Sequence, residues 1–240
     1  MIEKQPNVYH IDKLRALHLF ESDINGVLGI LWGRRLMANA ERHQILHDSQ
    51  HGSRKGRGTD TVLLTKHFTY SLWRMTQTDG MTFDNDAKSC YDRIVMNLAL
   101  LSSQKLGMPI YICDWYNKFL QQANYHIQLP TLVSSQYYNH QTHQPLHGPG
   151  QGSRAAPSLW VIVSSIIMHC MGQQSHGIQF QDPHGNTKMD FITTGFVDDT
   201  THWINNFIQA IQGQQTLETL YQDTKKNCTM VGTTVIRHRG

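Results

Sequence analysis

Two adjacent acidic residues, Asp198 and Asp199, give the strongest chemical signal in this sequence. Phe196 precedes them and Trp203 follows, so β-prone apolar residues flank a pair that favours turns. We therefore predict a β-hairpin whose tip carries both carboxylates. Carboxylate oxygens suit Mg²⁺, and two-metal phosphoryl transfer needs such ions beside the reacting phosphate. Taken alone, the pair is more typical of an ordinary solvated turn.

Two segments upstream of this pair give it a chemical context. Residues 81–86 have the pattern of a buried strand that ends in Asp86, and Tyr91 stands shortly after it. Farther along, Gln151 lies between two glycines, which is a turn signal before an apolar helix. If the strand and the hairpin are neighbours in one sheet, Asp86 and Asp198 can share a divalent ion.

In this order, the three segments resemble the palm motifs of reverse transcriptases, most closely those of retroelements that lack long terminal repeats. The first family motif is an Asp, four residues and an aromatic, matched by Asp86 and Tyr91. The second is Gln-Gly, small residues and a Pro, matched by residues 151–157, although relatives usually have Ser where this chain has Ala156. The third is aromatic-X-Asp-Asp, matched by residues 196–199.

Segments before the palm motifs extend the resemblance. Residues 50–59 are similar to the fingers segment that precedes the palm in these elements, and residues 14–36 are similar to an earlier fingers motif. The likeness covers residues 11–223. It implies an α+β, right-hand fingers-palm fold with an antiparallel palm sheet backed by helices.

The resemblance also implies an activity, which is RNA-templated DNA polymerisation. Asp86, Asp198 and Asp199 are then the catalytic residues, holding two Mg²⁺ ions with Mn²⁺ as an alternative. The implied partners are an RNA template, a DNA primer and dNTPs. Tyr91 stands where the family has its aromatic steric gate, and Gln151 with Gly152 would lie along the nascent base pair.

A cationic segment at residues 50–59 offers a way to bind phosphate. Arg54, Lys55 and Arg57 alternate with glycines, and a mobile basic loop suits a triphosphate or a nucleic-acid backbone. We expect this loop to be exposed. A solvated basic surface is the alternative interpretation.

The bulk composition permits a nucleic-acid partner without requiring one. The 240 residues carry a formal charge of +3, and only 16% are charged. The four cysteines lack zinc-site spacing, so we expect isolated thiols and an intracellular location, with nucleus and cytoplasm both open. The longest apolar run, residues 159–171, is shorter than the ~20 residues that span a bilayer, so we expect no membrane partner.

The predicted organisation follows the motifs along the chain. Residues 1–80 form a fingers-like region, residues 81–205 the palm, and residues 206–240 a truncated or divergent tail without a thumb, so we expect little processive synthesis from this chain alone. Predicted elements include a helix from Thr59, a strand at 81–86, and helices at 93–105, 110–123, 158–171 and 214–223. The apolar face predicted for the helix from Thr59 consists of Leu64, Phe68, Leu72 and Met75.

Two alternatives stay open beside the polymerase interpretation. The chain can be a catalytically inactive, transposon-derived remnant that at most binds nucleic acid. It can also be an unrelated Mg²⁺-dependent phosphohydrolase that uses paired Asp residues, although that interpretation gives Gln151 no role.

Overall fold

The computed structural model describes most of the chain, with gaps. The described residues are 2–3, 14–77, 79–87, 89–129, 132–140, 148–174, 177–182, 184–186, 188–204, 215–216, 218–219 and 228–236.

Helices make up much of this part of the chain. They are α1 (Ser22–Leu28), a π-helix (Gly29–Leu36), α2 (Met37–Arg42), α3 (Thr59–Thr76), a 3₁₀-helix (Cys90–Arg93), α4 (Met96–Lys105), α5 (Ile110–Gln122) and α6 (Ala156–Gln174). The first three follow one another without a break and form one continuous helical segment, from Ser22 to Arg42.

The strands form small antiparallel sheets. They are β1 (Ile2–Glu3), β2 (Leu14–Arg15), β3 (Gly80–Ala87), β4 (Gln128–Leu129), β5 (Leu132–Val133), β6 (Ile178–Gln181), β7 (Lys188–Phe191), β8 (Thr193–Phe196), β9 (Asp199–Ile204) and β10 (Cys228–Ile236). The largest sheet has four strands in the order β10-β3-β9-β8, and all its pairs are antiparallel. The predicted α+β class with an antiparallel sheet is confirmed.

The chain divides into two compact units, each built from two separated stretches. Unit 1 is Met1–Asn39 with Tyr91–Leu159, and unit 2 is Ala40–Cys90 with Trp160–Gly240. This division differs from the contiguous ranges that the sequence suggests, because the four-stranded sheet joins segments distant in sequence.

The core of unit 1 is built around Trp32. This side chain is fully buried, and its ring lies 4.8 Å from that of Tyr116 between centroids. Its indole Nε1 donates to Ser103 Oγ at 3.3 Å, so the buried N–H is satisfied. Through these contacts the π-helix packs on α4 and α5.

Unit 2 buries apolar residues on both faces of its four-stranded sheet. Trp203 packs against Trp73 of α3, with ring centroids 5.9 Å apart, and it shares a cluster with Ile178 and Phe180. The next residue, Ile204, faces the opposite side because side chains alternate along a strand. There it joins a cluster with Met81 and Phe83.

The predicted buried face of α3 is wrong for three of its four residues. Leu64, Phe68 and Met75 are exposed, while Leu72 is partly buried against the Trp73 cluster. The helix instead buries Val62, Thr69 and Trp73. Both sides of this helix carry apolar residues, so the periodicity in the sequence did not select the side that packs.

The C-terminal part of the chain also differs from the prediction. No element was predicted after residue 227, yet β10 pairs with β3 from Cys228 opposite Ala87 to Ile236 opposite Gly80, with a break in register between Met230 and Gly232. Of the predicted helix at 214–223, only residues 215–216 and 218–219 are described, and these are helical.

Helix α6 is longer than the apolar run found in the sequence. By length and composition alone, its window Ala156–Gln173 would be able to cross a membrane, with a hydropathy of 1.2. However, 67% of that window is buried inside the protein, as in the core helix of a globular fold.

Candidate active site

A two-residue turn, Val197 and Asp198, joins β8 to β9 in unit 2. Phe196 pairs directly with Asp199 on either side of it. Val197 has φ of +57°, a conformation that hairpin turns usually assign to glycine or asparagine. For a β-branched residue this backbone is strained, by about 1–3 kcal/mol. The turn that carries the acidic pair is therefore held in an unfavourable conformation by its surroundings.

The third predicted acidic residue lies beside this turn. Asp86 of β3 is directly opposite Asp199 of β9, and Ala87 N donates to Asp198 O at 3.2 Å. Directly opposite residues in an antiparallel pair point to the same face. The prediction has Asp198 at the hairpin tip, near enough to Asp86 on a neighbouring strand to share a divalent ion. In the structure Asp198 lies in the turn, and Asp199 is the residue directly opposite Asp86. All three acidic residues are nevertheless at one end of the sheet.

The electrostatics of this end of the sheet centre on Asp199. Although the residue is largely exposed, partial burial of its carboxyl group raises its pKa, and the nearby negative charge of Asp86 raises it further. The ammonium group of Lys66 acts in the opposite direction and lowers that pKa. A bound cation would offset the electrostatic repulsion between carboxylates that lie this close together.

Two residues that no sequence motif indicated lie near the acidic residues: Asp84 on the same face of β3 as Asp86, and Lys66 on α3. Asp84 lies two positions before Asp86, and it accepts hydrogen bonds from Thr201 Oγ1 and from Lys66 Nζ, the latter at 3.0 Å. Strand alternation was the available signal for Asp84, since residues two apart share a face. Lys66 on α3 belongs to no recognisable motif, so nothing in the sequence indicated it.

The acidic residues have the right chemistry for a hard divalent ion. Mg²⁺ prefers carboxylate oxygens and usually binds through one or two carboxylates, with waters and substrate phosphates completing its shell. The opposed pair Asp86 and Asp199 meets that minimum. Among the described residues, no group of three or more His, Cys, Asp or Glu side chains is arranged to hold a metal ion.

The expected exposure of the basic loop is wrong for Arg54. Its side chain is only 3% exposed and forms a two-pronged salt bridge with Glu41, at 2.7 Å and 2.6 Å. The same guanidinium donates to the carbonyl groups of His47 and Gln50, at 2.7 Å and 3.0 Å. Arg54 is thus engaged in contacts within the protein, which indicate a structural role for its side chain.

The other two cations of this loop are closer to the expectation. Lys55 is exposed. Arg57 is half-buried and pairs with Asp48, which is 92% exposed, at 2.8 Å. An exposed pair of this kind is weak, so a polyanion can displace it. Phosphate binding by Lys55 and Arg57 stays a prediction.

The Gln-Gly turn belongs to unit 1. Gly150 and Gly152 have φ of +77° and +110°, where glycine is the residue that avoids strain. A Cβ at Gly152 would lie 2.3 Å from His18 O, so the backbone also approaches too closely for a side chain. Gln151 O accepts from His18 N at 2.6 Å, and the Gln151 side chain is half-exposed.

Side chains from elsewhere in unit 1 complete the support of this turn. Asn25 bonds Gly152 O and Arg154 N, at 3.1 Å and 2.8 Å. Asp92 accepts a hydrogen bond from Gln151 N at 3.2 Å. Burial lowers the pKa of His18, and the charge of Asp92 partly opposes that shift.

Tyr91, the predicted steric gate, is half-buried in the 3₁₀-helix of unit 1. Its carbonyl oxygen would lie 2.3 Å from a Cβ at Gly148, so the chain before the Gln-Gly turn packs directly against its backbone. Tyr91, Gln151 and Gly152 therefore belong to one unit and the acidic residues to the other. Their predicted contacts with a nucleotide stay predictions.

Comparison with known proteins supplies a fold relationship. No protein-family model matches the sequence, and no curated protein matches it. Telomerase from Candida tropicalis, solved in complex with a TWJ fragment of telomeric RNA, aligns with a TM-score of 0.56 and 12% identity, over 89% of this chain and 35% of that chain. The corresponding telomerase complex from Candida albicans aligns with a TM-score of 0.51 and 13% identity, over 87% and 34%.

The likeness establishes the kind of fold. The chain spans about a third of the length of these telomerase chains. Telomerase is related to reverse transcriptases, so the fold of this chain is reverse-transcriptase-like.

Proposed function

We propose that this chain carries the nucleotidyl-transfer core of an RNA-templated DNA polymerase. The observation that carries the proposal is the position of Asp86 opposite Asp199, with Asp198 in the adjoining turn, within a reverse-transcriptase-like fold. A chance Asp-Asp turn would have no reason to meet a third carboxylate from a strand more than a hundred residues away. Descent from a retroelement, most like those without long terminal repeats, is part of the proposal and is supported by the sequence motifs.

In this proposal, Asp86, Asp198 and Asp199 hold two Mg²⁺ ions, or Mn²⁺ in their place. The ions would stabilise the attacking and leaving oxygens of an in-line displacement at phosphorus. Lys66 limits the negative charge of the site before a cation arrives, because its ammonium group lies close enough to lower the pKa of Asp199. Asp84 fixes Lys66 in that position through their 3.0 Å contact.

The proposed partners are an RNA template, a DNA primer and dNTPs. Lys55 and Arg57 would contact phosphate groups, since both belong to a glycine-rich loop with charge at its surface. Tyr91, Gln151 and Gly152 would contact the nascent base pair and the incoming sugar. An intracellular location follows from these partners.

A single-nucleotide addition assay tests the proposal. The 240-residue chain is given a DNA primer on an RNA template, one matching dNTP and Mg²⁺, and primer lengthening is measured. We expect addition by the wild type and loss of at least about 100-fold in the Asp198→Ala, Asp199→Ala double variant. Asp190→Ala is the matched control, because Asp190 is exposed on β7, which belongs to a separate two-stranded sheet.

The assay also separates the alternatives. Retained binding of the RNA–DNA duplex without any addition would support the inactive remnant. Mg²⁺-dependent phosphate release that requires no template would support the phosphohydrolase. Nucleotide addition by the double variant at the wild-type rate would show that Asp198 and Asp199 take no part in catalysis.

A further inference from the structure

Residues 49–51, where the basic loop begins, continue the four-stranded sheet of unit 2. Gln50 forms a parallel bridge with Gly195 of β8. His51 N donates to Gly195 O at 2.8 Å, and Gly195 N donates to Ser49 O at 2.8 Å. This segment therefore covers the edge of the hairpin that carries the acidic pair.

The side chain of Gln50 reaches the turn itself. It is fully buried, and its Oε1 accepts from Val197 N at 3.3 Å and from Gly52 N at 3.0 Å. Its Nε2 donates to Val197 O at 3.3 Å and to Ser164 Oγ at 2.9 Å. One amide group thus satisfies both backbone groups of Val197 and is itself anchored on α6.

Two further contacts converge on the same residue. The indole Nε1 of Trp160, also on α6, donates to Val197 O. Gly52 approaches so closely that a Cβ there would lie 2.2 Å from Val197 N. Arg54 bonds Gln50 O at 3.0 Å and Glu41, so the segment that carries Gln50 is fixed in turn.

Gln50, Trp160 and Gly52 all contact Val197, the strained residue of the turn. A backbone conformation as unfavourable as that of Val197 persists only where the surroundings over-determine it. Val197 immediately precedes Asp198, so its conformation sets the direction of that carboxylate and the pairing of Asp199 with Asp86.

We propose that Gln50 is a positioning residue, which holds the acidic turn in its strained conformation and thereby places Asp198 and Asp199. Gln50 does not contact substrate or metal in this role. The inference rests on the proposed nucleotidyl transfer for its catalytic consequence, while its structural part is independent of activity.

Hydrogen exchange measures the structural part directly in the 240-residue chain. Gln50→Leu keeps the size of the side chain and removes its hydrogen bonds. We expect the Val197 amide to exchange about tenfold faster or more, while amides in the interior of α3 keep their wild-type rates. Gln179→Leu, on the exposed side of β6, is the matched control and leaves Val197 unchanged.

A second substitution separates positioning from general packing. Glycine adopts positive φ without strain, so Val197→Gly removes the need for support. The Gln50→Leu, Val197→Gly double variant is expected to recover most of the addition rate that Gln50→Leu loses. In Gln50→Leu itself, we expect kcat to fall about 100-fold and the nucleotide KM to change less than about threefold, as for a misplaced reacting group.

Gln50→Met provides a second variant, with an unbranched side chain of similar length and no charge at a fully buried site. It also loses both hydrogen bonds to Val197, so faster exchange confined to the 193–204 region is expected here too. Unchanged exchange of Val197 in both Gln50 variants would overturn the inference, and so would faster exchange spread equally over α3. If the wild type proves inactive in nucleotide addition, the proposed function fails while exchange still decides the role of Gln50.

Discussion

The Gln-Gly turn of unit 1 and the Asp-Asp turn of unit 2 both need a residue at positive φ, and they meet that need differently. The first uses glycine at both such positions, Gly150 and Gly152. The second uses Val197, whose φ is +57°. Glycine makes the first turn unstrained, and contacts from Asn25 and Asp92 then fix it. The second turn is strained and depends on Gln50 and Trp160 to keep its shape.

This difference shows which turn is free to change. An unstrained turn keeps its conformation when one contact is lost, whereas a strained turn relaxes to another conformation. Asp198 and Asp199 thus belong to the turn that depends more on surrounding contacts. Strained backbone conformations of this kind cluster at functional sites.

The largest effect is expected from adding a side chain to the glycine turn. Gly152→Ala introduces strain at φ of +110° and a contact of 2.3 Å with His18 O, which is backbone and has little freedom to move. We expect a loss of about 3–4 kcal/mol in unfolding free energy, measured by urea denaturation. Gly26→Ala is the control: it lies in α1 with nothing within 4 Å, so alanine there raises stability by up to about 1 kcal/mol. Equal effects at the two glycines would contradict the description of this turn.

A comparable loss is expected when the support of the acidic turn is weakened. Arg54→Met leaves Glu41 unpaired and two carbonyl groups without their donor, so we expect about 3 kcal/mol of destabilisation. Arg57→Met removes an exposed pair with Asp48 and is expected to change stability by less than about 0.5 kcal/mol. Urea denaturation of both variants checks the contrast. Similar losses for the two would mean that Arg54 is not buried in the way described.

A pH-dependent loss is expected from His202, which lies on β9 behind the acidic turn. Burial lowers its pKa from 6.5 to about 4. The unfolded chain therefore binds more protons between these values, so stability is complete above pH 6.5 and falls as the pH drops towards 4. Between pH 6.5 and 5 this amounts to about 2 kcal/mol for a fully buried histidine.

The His202→Leu variant tests that assignment through the slope of unfolding free energy against pH. We expect a shallower slope than in the wild type, with His18, His47 and His51 contributing to the remainder because burial also lowers their pKa values. Phe68→Leu, at an exposed position of α3 without a titratable group, is the control and keeps the wild-type slope. A wild-type slope in His202→Leu would mean that His202 titrates normally.

The sequence predicted the elements around the motifs well. The strand predicted at 81–86 is β3, the helix predicted from Thr59 is α3, and the hairpin predicted around Asp198 is present. Each of these depends on local signals: capping residues, β-prone runs and turn residues. Strand β10 had a signal too, because residues 228–236 are rich in Thr and Val, which favour strands.

The residues that support the turn had no such signal. Gln50 and Arg54 are single polar residues in a loop, and their roles arise from contacts with residues more than a hundred positions away or from a buried salt bridge. Positive φ at Val197 cannot be predicted from valine, which ordinarily avoids it. The buried side of α3 was wrong for a different reason, since its two sides are similarly apolar and only tertiary packing distinguishes them.

The smallest expected effect tests directly whether the acidic turn is strained at Val197. At Val197, glycine relieves the strained φ while alanine keeps it, so Val197→Gly is expected to be more stable than Val197→Ala by about 1 kcal/mol. In the interior of a helix the order is reversed, because glycine there is about 1 kcal/mol less stable than alanine. Val62, buried in α3, provides the matched pair of substitutions, Val62→Gly and Val62→Ala. Urea denaturation of the four variants gives two differences in stability, which must have opposite signs if Val197 is strained at its positive φ. The same sign at both sites would mean that the acidic turn is not strained there.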